Sequence, residues 1–497
     1  MSTSIERLSS EDRIMQWGDE VWPQEIGALA VLDGKRLLDP DGRFRIEVVR
    51  EAIQSRLHLV PRFRQLLHVP RRGLGGPLWV DAHSFDLADH VQVAPLPAQA
   101  DEAQLLEAIE RLQRQRLDRT RPLWGMWFLP GLAEGRIGLF VKMHHVIADA
   151  IAGVATLGML LDPAAEATVV PGAPWVPAPG PTTRDLLADN LRRQVQAFGR
   201  ILPRLGRPVT GLQHALIAWQ AMHEFLAEGP VPQTSLDRVV GPDRSLAPIR
   251  TTLDQVKKVA RAHHAKANDV LLSVAAGGLG GLLREREEPV EGLIVRAAVP
   301  VSLRTGQAGA PRGNLVGEMI VPLPLGVSDP SRRLRQIAAE TAKRKVRTPP
   351  SVGTLLRSRI VRRAAEKAIE HQRVNVATAD VPGPSLPLYL AGAPVLDLFP
   401  LLALLARTSV GVGAMSYAGQ FNIMVVADRD TCPDIEVLAA SMRDELHALG
   451  VRTWPLSGWA IAESVGAHRD REPAANPGGE CAPRSMGSSY PDRGDDS

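Results

Sequence analysis

The sharpest chemical pattern in the chain is MHHVIADAIAG, residues 143–153, where two adjacent histidines precede an aspartate that lies four residues after the second. A neutral imidazole has a pKa of about 6.5 and can take a proton from a hydroxyl, which typically contributes about 10²–10⁴ in rate. Neighbouring side chains in extended backbone point to opposite faces, so His144 and His145 cannot face one cavity in the same way. The spacing predicts one reactive and one supporting histidine.

Spacing alone leaves three interpretations of this pair open. The histidines could be core residues whose ring nitrogens are satisfied by backbone groups, which is the commonest role of such residues. They could bind a metal together with Asp149, although that site would need further ligands. One of them could do acid–base work, which is the chemistry that acylation of an alcohol requires.

Other patterns that could do chemistry are weaker. The chain has no Gly-x-Ser-x-Gly elbow, and neither Cys432 nor Cys481 lies in a recognisable catalytic setting. The glycine-dense run at residues 277–281 lacks the lysine of a phosphate loop and the dinucleotide-binding pattern. We expect these glycines to permit close helix packing.

The elements around the histidine pair are predicted from local apolar patterns. Residues 137–143 form a short apolar run after a turn-like segment and predict a buried strand, and residues 148–161 have a helical pattern. The two histidines therefore fall at the end of a strand. Residues 45–57 and 102–117 carry apolar positions at helical spacing and predict amphipathic helices.

Length and composition limit the class of protein. A chain of 497 residues is too long for one core and predicts two domains. Its 44% hydrophobic and 23% charged residues are ordinary globular values. The net charge is only +3, and the basic residues are spread along the sequence instead of forming a basic stripe. This distribution argues against nucleic acid as a partner.

The sequence predicts a cytoplasmic protein. Two cysteines cannot build a disulfide framework and fit a reducing compartment. The first twenty residues do not resemble a secretory signal. The most apolar stretches, residues 270–283 and 398–406, are shorter than the roughly 20 residues that span a bilayer, so we expect no transmembrane helix.

Composition shifts along the chain divide it into four parts. A segment rich in proline, glycine and alanine lies between residues 162 and 183, and strand and helix patterns alternate from residue 249 to 450. The predicted parts are an N-terminal domain with the histidine motif (1–162), a linker or crossover with basic helices (163–248), a C-terminal domain (249–467) and a disordered tail (468–497). The basic helices either pack between the domains or contact anionic lipid.

Several segments together resemble the bacterial wax ester synthase/acyl-CoA:diacylglycerol acyltransferase family of the chloramphenicol acetyltransferase-like superfamily. The family hallmark HHxxxDG corresponds to His144, His145, Asp149 and Ala150. The other segments that resemble the family, in order, are VPRFRQ (60–65), FDLADHV (85–91), LDRTRPLW (117–124), NDVLL (268–272), GNLVGEMIVPLP (313–324), DVPGPSLPLYLAGAPV (380–395) and SYAGQFNIMVVADRD (416–430).

The resemblance implies an α/β fold: two chloramphenicol acetyltransferase-like domains of mixed sheet flanked by helices, with a central tunnel. It implies that His145 is the general base, that His144 supports the loop, and that Asp149 is structural. The aspartate would pair with an arginine, for which Arg62 is the first candidate and Arg64 the second. The resemblance also implies no cofactor, with acyl-CoA and a lipid alcohol as substrates, and a monomer or homodimer.

The expected function is transfer of a long-chain fatty acyl group from acyl-CoA to diacylglycerol, forming triacylglycerol, and wax esters from long-chain alcohols. Two alternatives are acyl transfer from a carrier-protein thioester to another lipid or amine, and a non-catalytic lipid-binding homologue. Peripheral contact with a membrane or lipid droplet would bring the protein to such substrates.

Two positions depart from the family pattern. Ala150 replaces the motif glycine, which would be costly if the backbone there had positive φ and harmless if it were helical. Asp380 stands where the family usually has asparagine, so a group that donates and accepts hydrogen bonds is replaced by a charged acceptor.

Overall fold

The chain folds into two six-stranded sheets with helices packed on them. The computed structural model describes residues 5–9, 12–13, 16, 19–148, 150–166, 172–205, 231–302, 316–347 and 374–454. All of these lie within the compact unit Met1–Ser457. The predicted tail at residues 468–497 lies outside the described residues.

The strands are β1 (Glu25–Asp33), β2 (Gln65–His68), β3 (Leu78–Asp81), β4 (Val91–Val93), β5 (Trp124–Pro130), β6 (Arg136–His144), β7 (Arg244–Thr252), β8 (Ile294–Ser302), β9 (Val316–Pro324), β10 (Val376–Pro382), β11 (Tyr389–Leu390), β12 (Ala393–Leu401), β13 (Val410–Tyr417) and β14 (Gln420–Asp428). The helices are α1 (Ile46–Arg56), α2 (Glu102–Arg114), α3 (Ala150–Gly158), α4 (Thr183–Leu205), α5 (Leu253–Ala262), α6 (Ala267–Glu285), α7 (Pro330–Arg347) and α8 (Ile435–Ala448).

The first sheet has the strand order β11-β12-β1-β6-β5-β4. All its neighbouring strands are antiparallel except β4 and β5. Every residue of β6 is buried, as expected for a strand with neighbours on both sides and cover on both faces. Helix α2 begins at a capping box, in which the Asp101 side chain accepts a hydrogen bond from the Gln104 backbone.

One strand of the first sheet comes from the distant C-terminal part of the chain. Strand β12 pairs antiparallel with β1, with Pro400 opposite Ala28 and Leu398 opposite Ala30. The predicted N-terminal region therefore does not complete its own sheet. Residues that are about 370 positions apart in the sequence share one layer.

The second sheet has the order β7-β14-β13-β10-β8-β9 and mixes parallel and antiparallel pairs. Helix α6 packs on it and contacts α8 through the glycine run that the sequence analysis assigned to close packing. A Cβ atom at Gly277 would overlap Glu445, one at Gly278 would overlap Met442, and one at Gly281 would overlap Ser441. The prediction of close helix packing is confirmed.

The local predictions around the histidine motif are also confirmed. Residues 137–143 lie within β6, and α3 occupies residues 150–158 of the predicted helix. Helices α1 and α2 lie within the two amphipathic segments, and α2 buries Leu105, Ile109 and Leu112. No helix among the described residues is long and apolar enough to cross a membrane.

Candidate active site

The histidine pair lies at the C-terminal end of strand β6, an inner strand of the first sheet. His144 is its last residue, and its backbone N–H donates to the Leu123 carbonyl at 2.9 Å. The His145 N–H donates to the Gln24 carbonyl at 2.7 Å, and the chain then turns towards α3. Backbone bonds on both sides thus fix where the pair leaves the sheet.

The His144 ring is buried and held at both nitrogens. The backbone N–H of Val146 donates to Nδ1 at 3.1 Å, so Nδ1 must be unprotonated. The neutral ring therefore carries its proton on Nε2, which donates to Asp19 Oδ2 at 2.8 Å. A ring engaged at both nitrogens cannot also take a substrate proton, so this geometry fits a supporting role.

Asp19 is a part of the site that the sequence analysis did not identify. Its carboxylate also accepts from the Gln24 backbone at 2.8 Å and pairs with Arg119. Burial alone would raise the pKa of Asp19, but the hydrogen bond from His144, with the contacts to Gln24 and Arg119, lowers it below its ordinary value of 3.8. No local pattern marks this residue, which reaches His144 only through the fold.

His145 directly follows the last residue of β6, in the turn that leads to α3, and its side chain is half-buried. Asp149 lies outside the described residues. Ala150 is the first residue of α3, so its backbone is helical, and in that conformation alanine carries no backbone penalty relative to glycine.

Three of the family-like segments meet beside the motif in one aromatic stack. Trp124, which lies opposite Met143 in the sheet, stacks on Phe63 at 4.3 Å and on His90 at 4.6 Å between ring centroids. Phe85 covers the other face of His90 at 5.3 Å. The indole N–H of Trp124 donates to the Phe63 carbonyl at 2.8 Å, so this residue has a structural role in joining the segments.

The two candidate partners of Asp149 have different surroundings. The Arg62 guanidinium pairs with Glu6, donates to Gln65 at 2.8 Å and lies 4.3 Å from the Trp79 ring. Arg64 is only 6% exposed and has no ion pair among the described residues. Burial lowers the pKa of its guanidinium, and the indole of Trp175 lies 5.3 Å away. Arg64 is therefore the arginine with the greater need for a carboxylate.

An apolar cavity of about 50 Å³ lies between the first sheet and α3. Both elements that flank the motif, β6 and α3, contribute to its wall. The lining residues carry no charge and are Ala28, Ala30, Ile53, Met126, Leu139, Val141, Val154, Leu157, Gly158, Leu160, Leu161, Pro384, Leu388, Leu390, Val395, Leu398 and Met415.

Three further side chains that could do chemistry are Cys432, Asp380 and Asp269. Burial raises the pKa of the Cys432 thiol to about 12, which leaves it a poor nucleophile. Burial also raises the pKa of Asp380 on β10 to about 6. Asp269 caps α6 by accepting from the Lys266 backbone at 2.8 Å and from Thr341 at 2.7 Å, so its role is structural. Within the described ranges, no cluster of three or more His, Cys, Asp or Glu side chains could hold a metal ion.

Comparison of the fold with solved structures gives two informative matches. The wax ester synthase/diacylglycerol acyltransferase from Marinobacter aquaeolei VT8 superposes with a TM-score of 0.65 at 20% identity, covering 89% of this chain and 98% of that one. The starter condensation domain of rhizomide synthetase in complex with C8-CoA gives a TM-score of 0.58 at 16% identity, covering 93% of this chain and 98% of that one. The expected α/β architecture of mixed sheets flanked by helices is confirmed.

Sequence comparison extends the likeness to the family level. A Mycobacterium tuberculosis H37Rv protein named as the probable diacylglycerol O-acyltransferase tgs1 is 29% identical over 449 residues, covering 85% of this chain and 90% of its own. A second protein of that strain with a diacylglycerol O-acyltransferase name is 31% identical over 454 residues, covering 85% of this chain and 92% of its own.

Two family models together cover most of the chain. The model of the wax ester synthase/diacylglycerol acyltransferase catalytic domain matches residues 8–271, and that of the WS/DGAT C-terminal domain matches residues 312–450. The first alone spans more than half of the sequence and includes the histidine motif. The chain belongs to the wax ester synthase/diacylglycerol acyltransferase family.

Proposed function

We propose that this protein is an acyl-CoA-dependent diacylglycerol O-acyltransferase that forms triacylglycerol and also accepts long-chain alcohols. The observation that carries the proposal is that the half-buried His145 follows the end of the buried strand β6. It is next to His144, whose two ring nitrogens both have hydrogen-bond partners. Family membership and the names of the mycobacterial relatives support the substrate class. The cavity that β6 and α3 line has an apolar wall, which is the surface that a hydrocarbon chain would contact.

The proposed reaction needs one base and no covalent enzyme intermediate. The His145 imidazole takes the proton of the acceptor hydroxyl as the oxygen attacks the thioester carbonyl carbon. The new C–O bond forms, the C–S bond breaks, and the imidazolium returns its proton to the departing thiolate. Acid–base work of this kind typically contributes about 10²–10⁴ in rate, and positioning of the two substrates supplies much of the rest.

The test uses the full-length protein with labelled palmitoyl-CoA and diacylglycerol. We expect labelled triacylglycerol from the native protein and a loss of at least about 100-fold in kcat for His145→Ala with its fold retained. His68→Ala is the matched control, because His68 is exposed at the end of β2, and it should leave turnover unchanged. A folded native protein that makes no neutral lipid would overturn the proposal.

Two further assays separate the alternatives. A carrier-protein thioester offered at equal concentration would give the faster reaction if the donor were a protein. A non-catalytic lipid-binding homologue would show thermal stabilisation by acyl-CoA without turnover, and His145→Ala would have no consequence.

We also propose that α4 rests on an anionic lipid surface, where such acceptors reside. Leu187, Leu191 and Val195 follow one another at helical spacing and are 51–64% exposed. Arg184 and Arg192 border this stripe. The opposite side of the helix faces the protein, since Leu186 is buried. This arrangement of exposed aliphatic and basic residues is typical of interfacial helices.

Co-sedimentation with vesicles tests the lipid contact. We expect the protein to bind vesicles that contain phosphatidylglycerol and to bind pure phosphatidylcholine less. Replacing the three aliphatic residues by serine should release it while turnover of detergent-dispersed substrate stays unchanged. Equal vesicle binding by the variant would refute the contact.

A further inference from the structure

The carboxylate of Asp19 is connected by hydrogen bonds to the backbone at residue 145 and at residue 146. Its two oxygen atoms accept from different donors: Oδ2 from Nε2 of His144 at 2.8 Å, and Oδ1 from the N–H of Gln24 at 2.8 Å. Only 4% of Asp19 is exposed, so water has little access to replace either donor. Each of the two bonds begins a separate connection to the chain around His145.

The first connection passes through Gln24, which directly precedes β1. The last residue pair between β1 and β6 is Glu25 with His144. One step beyond that pair, the Gln24 carbonyl accepts from the His145 N–H at 2.7 Å. The Asp19 carboxylate therefore holds the residue whose carbonyl fixes the backbone of His145.

The second connection passes through the His144 ring. With its proton on Nε2, the ring donates to Asp19 and leaves Nδ1 free to accept from the Val146 N–H at 3.1 Å. If the proton were on Nδ1, two donors would face each other and the bond to Val146 would be lost. The carboxylate therefore selects the tautomer that fixes the residue after His145.

The position of Asp19 does not depend on His144 alone. Arg119, which lies in the segment before β5, forms an ion pair with the same carboxylate. Two residues earlier, the Leu117 N–H donates to the Glu25 carboxylate at 2.9 Å. These contacts hold both ends of the loop formed by residues 19–25, so the loop provides a fixed support for the His144 ring.

From these contacts we infer that Asp19 is the positioning residue of the candidate base, and that it acts on His145 through Gln24 and through the tautomer of His144. The inference rests on the proposed acyl transfer and adds a residue to its machinery. Displacement of a reacting group by about 1 Å can cost about 10²-fold in rate. Loss of either connection should therefore lower kcat more than it changes substrate binding.

Asp19→Asn tests this role, because asparagine has nearly the same shape but only one side-chain oxygen. Its NH₂ group must face either the Gln24 N–H or the His144 Nε2–H, so one connection is lost. We expect kcat to fall about 10–100-fold, while the KM values for acyl-CoA and acceptor change less than about threefold. Asp19→Glu keeps both oxygens and should retain more of the native kcat. If asparagine were the milder change, shape and not hydrogen bonding would be what matters at this position, which would contradict the inference.

Amide hydrogen exchange measures the positioning without turnover. In Asp19→Asn, at least one of the N–H groups of His145 and Val146 should exchange about 2–10-fold faster, while those in the middle of β1 stay native. Asp428→Asn is the matched control. Asp428 is a buried carboxylate on β14 that also lies beside an arginine, Arg244, and accepts from a backbone N–H, that of Gly241 at 2.8 Å. This control should lower the free energy of unfolding and leave kcat and exchange at residues 145 and 146 unchanged.

The outcomes separate this inference from the proposed function. Native kcat and native exchange at residues 145 and 146 in folded Asp19→Asn would overturn the positioning role while acyl transfer stands. Faster exchange throughout β1 and β6, or an equal loss of kcat in Asp428→Asn, would also overturn it, because general destabilisation would then explain the effect. Faster local exchange in a protein that makes no neutral lipid would support the positioning and refute the enzyme activity.

A second variant covers the case in which Asp19→Asn does not fold. His144→Asn keeps a side-chain oxygen that can accept from the Val146 N–H, but its side chain is too short to donate to Asp19. We expect kcat to fall at least about tenfold in this variant, with KM values near native. A native kcat in folded His144→Asn would overturn the connection through His144.

Discussion

At the scale of single residues, the site depends on buried polar groups whose partners come from distant parts of the chain. His144 is fixed by Asp19 and by the Val146 backbone, so we assign the role of base to His145. The sequence indicated that the two histidines would differ, because neighbouring strand residues point apart. It did not indicate Asp19, since a single acidic residue 125 positions away carries no local signal.

The surroundings of Arg64 predict that it couples to Asp149 more strongly than Arg62 does. A buried guanidinium without an ion pair among the described residues is costly, whereas Arg62 already pairs with Glu6. We expect Arg64→Met to lower kcat at least about tenfold, and its coupling to Asp149→Asn in a double-mutant cycle to be about 1–3 kcal/mol. The same cycle with Arg62→Met should give coupling near zero. Coupling to Arg62 alone would reverse the assignment.

Asp380 predicts a pH dependence of stability. Its pKa is about 6 in the folded chain against an ordinary 3.8, so the unfolded chain loses this proton first as the pH rises. The free energy of unfolding should therefore fall between about pH 4 and pH 6 and stay level above. Asp380→Asn should be more stable than the native protein at pH 7 by up to about 3 kcal/mol, with no such gain below pH 4.

Urea unfolding of both proteins at pH 3.5, 5 and 7 measures this effect. Asp444→Asn on α8 is the control, because Asp444 is exposed, and it should show no such dependence. A gain in Asp380→Asn that is the same at every pH would contradict the assigned cause.

At the scale of elements, the interface between α6 and α8 depends on the absence of side chains. Gly278→Ala would place a methyl group against Met442. We expect a loss of about 1–3 kcal/mol from overpacking, which exceeds the gain in helix propensity of about 1 kcal/mol. Adding Met442→Ala should recover part of that loss in urea unfolding. If Gly278→Ala alone were as stable as the native protein, the two helices could move apart without a loss in the free energy of unfolding.

At the scale of the whole molecule, a buried charge cluster joins the two sheets. Arg250 of β7 donates to Asp397 of β12 at 3.0 Å and to Glu102 of α2 at 3.1 Å. Arg250→Ala would leave these two buried carboxylates without that partner, and we expect it to cost about 3–5 kcal/mol in urea unfolding. Arg111→Ala breaks an exposed pair with Glu107 and should cost less than about 1 kcal/mol. Similar losses in the two variants would show that the cluster is not a structural link.

The sequence predicted the parts of the fold that depend on neighbouring residues. The spacing of Leu105, Ile109 and Leu112 was enough for α2, and the apolar run before His144 was enough for β6. The pairing of β1 with β12 could not be predicted in this way, because it depends on contacts between segments about 370 residues apart. The apolar cavity also depends on contacts between distant segments, because Ala28 and Ala30 line a cavity only when α3 covers the sheet.

Because β12 pairs with β1, the first sheet would be incomplete in an N-terminal fragment of this protein. A polypeptide ending in the proline-rich segment near residue 175 would contain the histidine motif, yet β1 would be left with one side unpaired. Exposed backbone of that kind recruits other strands, so the isolated piece should aggregate. Supplying the remaining polypeptide during synthesis should rescue its solubility, since the missing strand can then be donated from a separate molecule.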